Sequence, residues 1–255
     1  MKRLMRARTQ IMATLGFAAL ACVPASAAIS GFNGDQNLAG WEYNQSDSGS
    51  PMQIVNNYTI QFTGGESNRR SLWYTTPQDI TEFQASFTYR ASSISLSGPR
   101  QGVTFAIHRD AAGIDALGGG FSGLGYSGLT PSAALTLETD TGSNITRSSF
   151  YTGGVLGSGS QSTAPIDAFA FQDITVNLQY DGSVISVSMT QGANTLPTRN
   201  YFVGSLASML GSSTAYIGFT GSSANGATQF LSNVSFVPEP ASLLGIAVAV
   251  LGIRR

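Results

Sequence analysis

The sequence predicts an all-β fold, a sandwich or a barrel, and three observations carry that expectation. Between residues 28 and 237, apolar and polar residues alternate in short runs, the period of a strand rather than of a helix. Gly, Ser, Asn and Pro, the residues of tight turns, punctuate the runs. Only "VGSLASML" offers a helix, a turn or two near Ser205 to Leu210. Many strands with almost no helix must bury their apolar faces against one another, as stacked or closed sheets do.

The strand candidates follow in order: "YTIQFTG", "FQASFTYRA", "GVTFAIHR", "AALTLETD", "ITVNLQYDG", "VISVSMTQ", "TAYIGFTG" and "LSNVSFV". In "VNLQY", Val176, Leu178 and Tyr180 share one face while Asn177 and Gln179 share the other. "QYDGSVISVSM" reads as a hairpin with Asp181-Gly182 at a type I′ turn. The inward set of the next strand starts at Val184 or Ile185 according to turn length, since a one-residue slip exchanges the faces. Trp41 and Trp73 lie in strand-like apolar surroundings and read as core. "GGVLGSGSQSTAP" reads as a flexible loop, and neither a repeat nor a long linker divides the domain.

The two ends differ in kind from the middle. "MKRLMRARTQ" is basic, "IMATLGFAALACV" is apolar, and Ala25-Ser26-Ala27 is a small-residue exit, so residues 1–27 read as a secretory signal peptide. The expected domain is 28–236, leaving 237–255 as a terminal segment. There, Ala241 to Ile253 is apolar and Arg254-Arg255 is basic. Thirteen helical residues cover about 20 Å, short of a bilayer core near 30 Å. "VPEPASLLGIAVAVLGIRR" closely resembles the PEP-CTERM sorting signal. The resemblance implies a bacterial protein sorted by exosortase, held at the membrane through a short apolar helix until processing near Pro238-Glu239-Pro240. Its destination would be the cell surface or the extracellular matrix.

Composition excludes several chemistries. The only cysteine, Cys22, falls in the signal segment, so the exported chain has no disulfide, thiolate metal site or thiol nucleophile. Residues 28–237 carry seven arginines, no lysine and thirteen carboxylates. Such an acidic domain is a poor polyanion binder, which argues against nucleic acid.

The middle of the chain resembles the L-type (legume-like) lectin domain. The resemblance rests on "QGVTFAIHRDAAGIDALGGGFSGLGYSGL" followed by "SAALTLETDTGSN", flanked by "SLWYTTP", "FQASFTY", "VNLQYDGSVISVSM" and "AYIGFTGSSANGATQFLSNVSF". It runs from about Ile29 to Phe236 and implies a concanavalin-like jelly-roll β-sandwich that binds carbohydrate without catalysis.

The stretch "LETDTGSN" puts Glu138 and Asp140 two positions apart, on one face of a strand, with Asn144 four beyond the second. The residues themselves allow a metal site, an acid/base pair or a wet strand end. The resemblance implies that Glu138, Asp140 and Asn144 are the first half of a metal loop, with calcium as the ion that such oxygens suit. The second half departs from the pattern. Ser149 and Gly154 stand where an Asp and a His are expected, and the single histidine, His108, lies in another strand.

On the sugar side, Gln101 precedes Gly102 where the resemblance places an acidic acceptor. A neutral amide offers about 1 kcal/mol per hydroxyl against about 1.5–3 for a charged group. Gly118, Gly119 and Gly120 form a glycine loop that lets a sugar approach the backbone, or a plain tight turn. Asn144 also faces that region under the resemblance, and Phe121 or Tyr126 would stack on a pyranose or pack as lid and core.

Catalysis has little support. A retaining glycosidase needs two carboxyls about 5–5.5 Å apart, and Gly142 and Ser143 occupy the positions of a second glutamate. A serine triad fails because no nucleophile elbow leads into a helix. The expected function is non-catalytic binding of a glycan or polysaccharide. A structural envelope or biofilm protein on the same fold is the alternative.

Overall fold

The computed structural model describes residues 28–32, 38–46, 51–56, 58–64, 68–94, 100–140, 142–223 and 227–239. The segment 1–27, expected to be a signal peptide, and the apolar C-terminal segment beyond Glu239 lie outside the described residues. Among the described residues no helix is long and apolar enough to cross a membrane.

The chain opens with β1 (Ile29–Ser30), β2 (Trp41–Gln45), β3 (Gln53–Asn56), β4 (Thr59–Thr63), β5 (Asn68–Tyr74) and β6 (Gln78–Asp79). Two long strands follow, β7 (Phe83–Ser93) and β8 (Gln101–His108), then β9 (Ser132–Asp140), β10 (Ile145–Thr152) and β11 (Gln161–Ser162). The last part holds β12 (Ile174–Tyr180), β13 (Val184–Gln191), β14 (Asn194–Phe202), the helix α1 (Leu206–Leu210), β15 (Thr214–Ser223) and β16 (Thr228–Pro238).

These strands form two antiparallel sheets among the described residues. One runs β14-β13-β12-β7-β16-β4-β3, with β1 on β16; the other runs β11-β10-β9-β8-β15-β5-β2, with β6 on β15. Neighbours such as β7 and β16, or β8 and β15, are far apart in sequence, which is the jelly-roll crossover the sequence predicts. The core lies between the sheets. Phe87 meets Phe219 edge-on at 5.2 Å, and Phe105 meets Phe219 at 5.7 Å. Such aromatic pairs add about 0.5–1.5 kcal/mol beyond area burial.

Local expectations hold where a strand has one wet face. Val176, Leu178 and Tyr180 are buried, and β13 resolves its open register by burying Ile185, Val187 and Met189. Helix α1 is capped by Ser205, whose Oγ accepts from the Ser208 amide at 3.1 Å. The turn after β12 centres on Gly182-Ser183 rather than on Asp181-Gly182, because Tyr180 pairs with Ile185 and the Asp181 amide donates to the Val184 carbonyl at 3.3 Å. Asp181 shapes it by accepting from the Ser183 and Val184 amides at 2.9 and 2.7 Å. The polar stretch after β10 is likewise not bare loop: β11 within it pairs back onto β10.

Strands β8 and β9 are buried on both faces. Their inner face meets the core, and the segment 109–131 folds over their outer face. Trp73, Ala106, Ala116, Tyr126, Leu129 and Ala134 form a second, smaller apolar cluster there. The overlying segment is tied down at several points. Trp73 Nε1 donates to the Ala116 carbonyl at 2.7 Å, Thr220 Oγ1 to that of Leu124 at 2.8 Å and Ser222 Oγ to that of Phe121 at 2.6 Å.

At the other end of the chain, β16 runs past the expected boundary at 236. Val237 and Pro238 pair with Gln84 and Phe83, and the Glu239 amide donates to Glu82 at 2.9 Å.

Candidate functional site

Antiparallel pairing brings the sequence-predicted residues to one end of the sheet that holds β8, β9 and β10. Gln101 lies across from Thr139, Gly102 from Glu138, and Asp140 from Ile145 at the mouth of the hairpin between β9 and β10. Beside them opens a polar cavity of about 520 Å³ lined by Arg100, Ser122, Asp140, Gly142, Arg147, Ser158 and Ser160. Four separate chain segments therefore meet at one cup, the segment after the triple glycine among them.

The carboxylates are committed to arginines. Glu138 is 1% exposed, and its Oε2 lies 3.3 Å from Nη1 of Arg100. Asp140 Oδ2 accepts from Arg147 Nε at 3.2 Å. Arg147 is also the cross-strand neighbour of Glu138, and its Nη1 donates to the Ser160 carbonyl at 3.2 Å. Burial raises the Glu138 carboxyl above the ordinary range, against the lowering pull of the Ser160 hydroxyl, Arg100 and Arg147. Asp140 is held below its ordinary value by the Ser143 hydroxyl, with the Gly142 amide and Arg147 acting in the same sense.

Asp140 is turned into its own hairpin, where its Oδ1 accepts from the Gly142 amide at 3.2 Å. Asn144 sits exposed at the other end of that turn with φ of 52° and is not part of the cavity wall. Glu138, Asp140 and Asn144 therefore do not converge as an oxygen cage. Ser149 is paired with Thr136, two rungs up the β9–β10 ladder from Glu138. Gly154, where a histidine ligand would fall, has φ of 71° and room for no side chain, since a Cβ would lie 2.5 Å from the Leu129 carbonyl oxygen. Among the described residues no three His, Cys, Asp or Glu side chains group to hold an ion. The calcium expected from the sequence does not fit these donors.

The sugar-side residues are likewise redistributed. Gln101 is 1% exposed and does not line the cavity, whereas its neighbour Arg100 does. In the glycine loop, the Gly118 amide donates to Gly125 at 2.8 Å and the Gly119 amide to Ser127 at 2.7 Å. Those two amides are spent on the loop itself, and the Gly120 carbonyl accepts from the Gly123 amide at 2.9 Å. Gly118 is obligatory for packing, because a Cβ there would meet the Ser127 oxygen at 2.6 Å. Tyr126 is buried in the smaller cluster, while Phe121, next to the cavity residue Ser122, is 56% exposed. His108 is buried outside the cup, its ring 4.1 Å from that of Trp73.

Comparison with known structures identifies the architecture. A lectin from Bauhinia forficata in complex with GalNAc superposes with a TM-score of 0.68 at 16% identity, over 85% of this chain and 99% of that one. The fold is that of the legume lectins. The metal-free form of lectin I-B4 from Griffonia simplicifolia gives 0.67 at 14% identity, covering 83% and 98%. Winged bean acidic lectin complexed with methyl-α-D-galactose gives 0.66 at 14%, covering 82% and 97%. No protein-family model matches the sequence, and no curated protein does. The legume-lectin fold here thus carries a loop end rebuilt around arginine and serine. Sequence reasoning missed Arg100, Arg147, Ser122, Ser158 and Ser160 as wall residues. The available signal was that residues 28–237 hold seven arginines without a lysine, one of them seven positions after Asp140.

Proposed function

We propose that this protein is a non-catalytic carbohydrate-binding module whose saccharide sits in the cup between Arg100, Ser122, Asp140, Arg147 and Ser160. One observation carries the reading: an open cavity is walled by hydroxyl, guanidinium and carboxylate groups, and Phe121, the residue before its wall residue Ser122, is an exposed aromatic. Sugars need both features, because a pyranose offers an apolar face for stacking and a rim of hydroxyls for hydrogen bonds. Phe121 is held in place for this, its carbonyl accepting from Ser222 Oγ and the Leu124 amide while its own φ is 50°. Hydrolysis is disfavoured, since Glu138 and Asp140 are each already paired to a guanidinium rather than poised as acid and nucleophile.

The biological setting is part of the same proposal. Export by the N-terminal segment and sorting by exosortase at the C-terminal one would present the domain at a bacterial surface or matrix, facing extracellular polysaccharide. A structural envelope role without sugar binding draws support from the burial of Gln101, which removes an acceptor from the cup.

A glycan array probed with the wild type, Phe121→Ala and Phe202→Ala separates these readings. Phe202 is 86% exposed on β14 and serves as the control. Binding lost in the first variant and kept in the second supports the cup, whereas silence of the wild type on every glycan supports the structural role.

A further inference from the structure

We propose that the guanidinium groups of Arg100 and Arg147 stand in for a divalent cation, so that the loop end of this lectin fold is assembled without metal. The charge accounting is direct: two guanidiniums meet two carboxylates at 3.3 and 3.2 Å. The connectivity is that of a bridging ion as well. Arg100 joins the start of β8 to Glu138 on β9, and Arg147 on β10 joins Asp140 at the end of β9 to the Ser160 carbonyl in the segment before β11. A bound ion ties loops together through several oxygens at one point; here Arg147 does so through N–H donors to Asp140 and the Ser160 carbonyl, and Arg100 through charge pairing with Glu138.

The alternatives for a metal are closed by this chain's own atoms. Calcium takes six to eight oxygens, and the carboxylate oxygens available are already facing cations whose charge repels a second one. Asn144 lies outside the cavity wall, and no ligand side chain fits at Gly154. The inference concerns the frame of the loops rather than the saccharide, so its fate is separate from that of glycan binding.

Thermal unfolding of the full chain in calcium and in EDTA tests it. The wild type is expected to melt at the same temperature in both, within about 1 °C. In the double variant Arg100→Gln, Arg147→Gln the two carboxylates lose their counter-charges, and the melting temperature is expected to fall by several degrees in calcium and in EDTA alike, since the remaining donors do not cage an ion. Should that variant not fold, Arg147→Gln alone carries the comparison, because Asp140 is 41% exposed and its pairing is the less critical of the two. A wild type that melts higher in calcium than in EDTA overturns the proposal. So does a calorimetric calcium titration of the wild type that shows a saturable site, and so does a folded variant that melts as the wild type does.

Discussion

Arg147 faces Glu138 across the β9–β10 ladder, yet its Nε reaches sideways to Asp140, 3.2 Å away. One guanidinium therefore serves the field of both carboxylates, and Arg100, just before β8, completes the set at 3.3 Å from Glu138.

The two arginines should differ in cost. Arg100→Ala leaves Glu138, 1% exposed, without its ion-pair partner, and such orphaned buried charges cost about 3 kcal/mol. Arg147→Ala breaks a pair that is partly solvated on both sides and should cost about 1 kcal/mol. Urea unfolding of both variants measures the ratio, and equal losses would contradict this ranking.

Stability should fall in mild acid through His108. Its ring lies between Trp73 at 4.1 Å and Tyr216 at 5.6 Å, with Nδ1 accepting from the Asp110 amide at 3.1 Å. Burial lowers its pKa from 6.5 to about 4, against the opposing charge of Asp110. The folded state thus holds a neutral ring where the unfolded chain would take a proton. This contribution is complete above about pH 6.5, declines as pH drops toward 4 and totals about 3 kcal/mol. Urea midpoints at pH 7, 5.5 and 4.5 should converge for the wild type and His108→Gln, the variant losing less over the range. Parallel curves would remove His108 as the cause.

Restoring a histidine at position 154 should not restore a metal. With φ at 71° and the Leu129 backbone nitrogen and oxygen 2.7 and 2.5 Å from any Cβ, Gly154→His is expected to cost about 2–4 kcal/mol. The check is a lowered melting temperature that manganese or zinc does not recover.

Phe121 should trade stability for binding. A phenylalanine at φ of 50° costs about 1 kcal/mol relative to glycine, so Phe121→Gly should raise or hold the unfolding free energy. The same change removes a stacking ring worth about 0.5–1.5 kcal/mol, a two- to tenfold loss of glycan affinity. Both effects are readable on one variant by melting and by titration with the array hit.

Much of the sandwich was legible because many strands have one wet face. The alternation of Val176, Leu178 and Tyr180 survives intact in the structure, and α1 begins at a serine cap as its sequence suggests. Strands β8 and β9 escaped simple alternation because both their faces are buried, and their polar outer residues find partners on neighbouring strands, Thr104 on Thr220 and Thr136 on the Ser149 carbonyl. The paired carboxylates could be seen in the sequence, but their arginines could not. Which residue faces Glu138 depends on the length of one hairpin: a turn longer or shorter by one residue would bring Thr146 or Ser148 there. Gln101 was misplaced for a similar reason, since only the tertiary fold shows that burial falls on it and the cavity on Arg100.

Because β16 ends flanked by β7 and β1 rather than along an open edge, a tether attached beyond Glu239 would load it in shear. Tension drawn along the strand is shared by many backbone bonds at once, instead of unzipping them singly. A domain gripping polymer at one sheet and anchored through the other would then resist flow with a strand held on both sides.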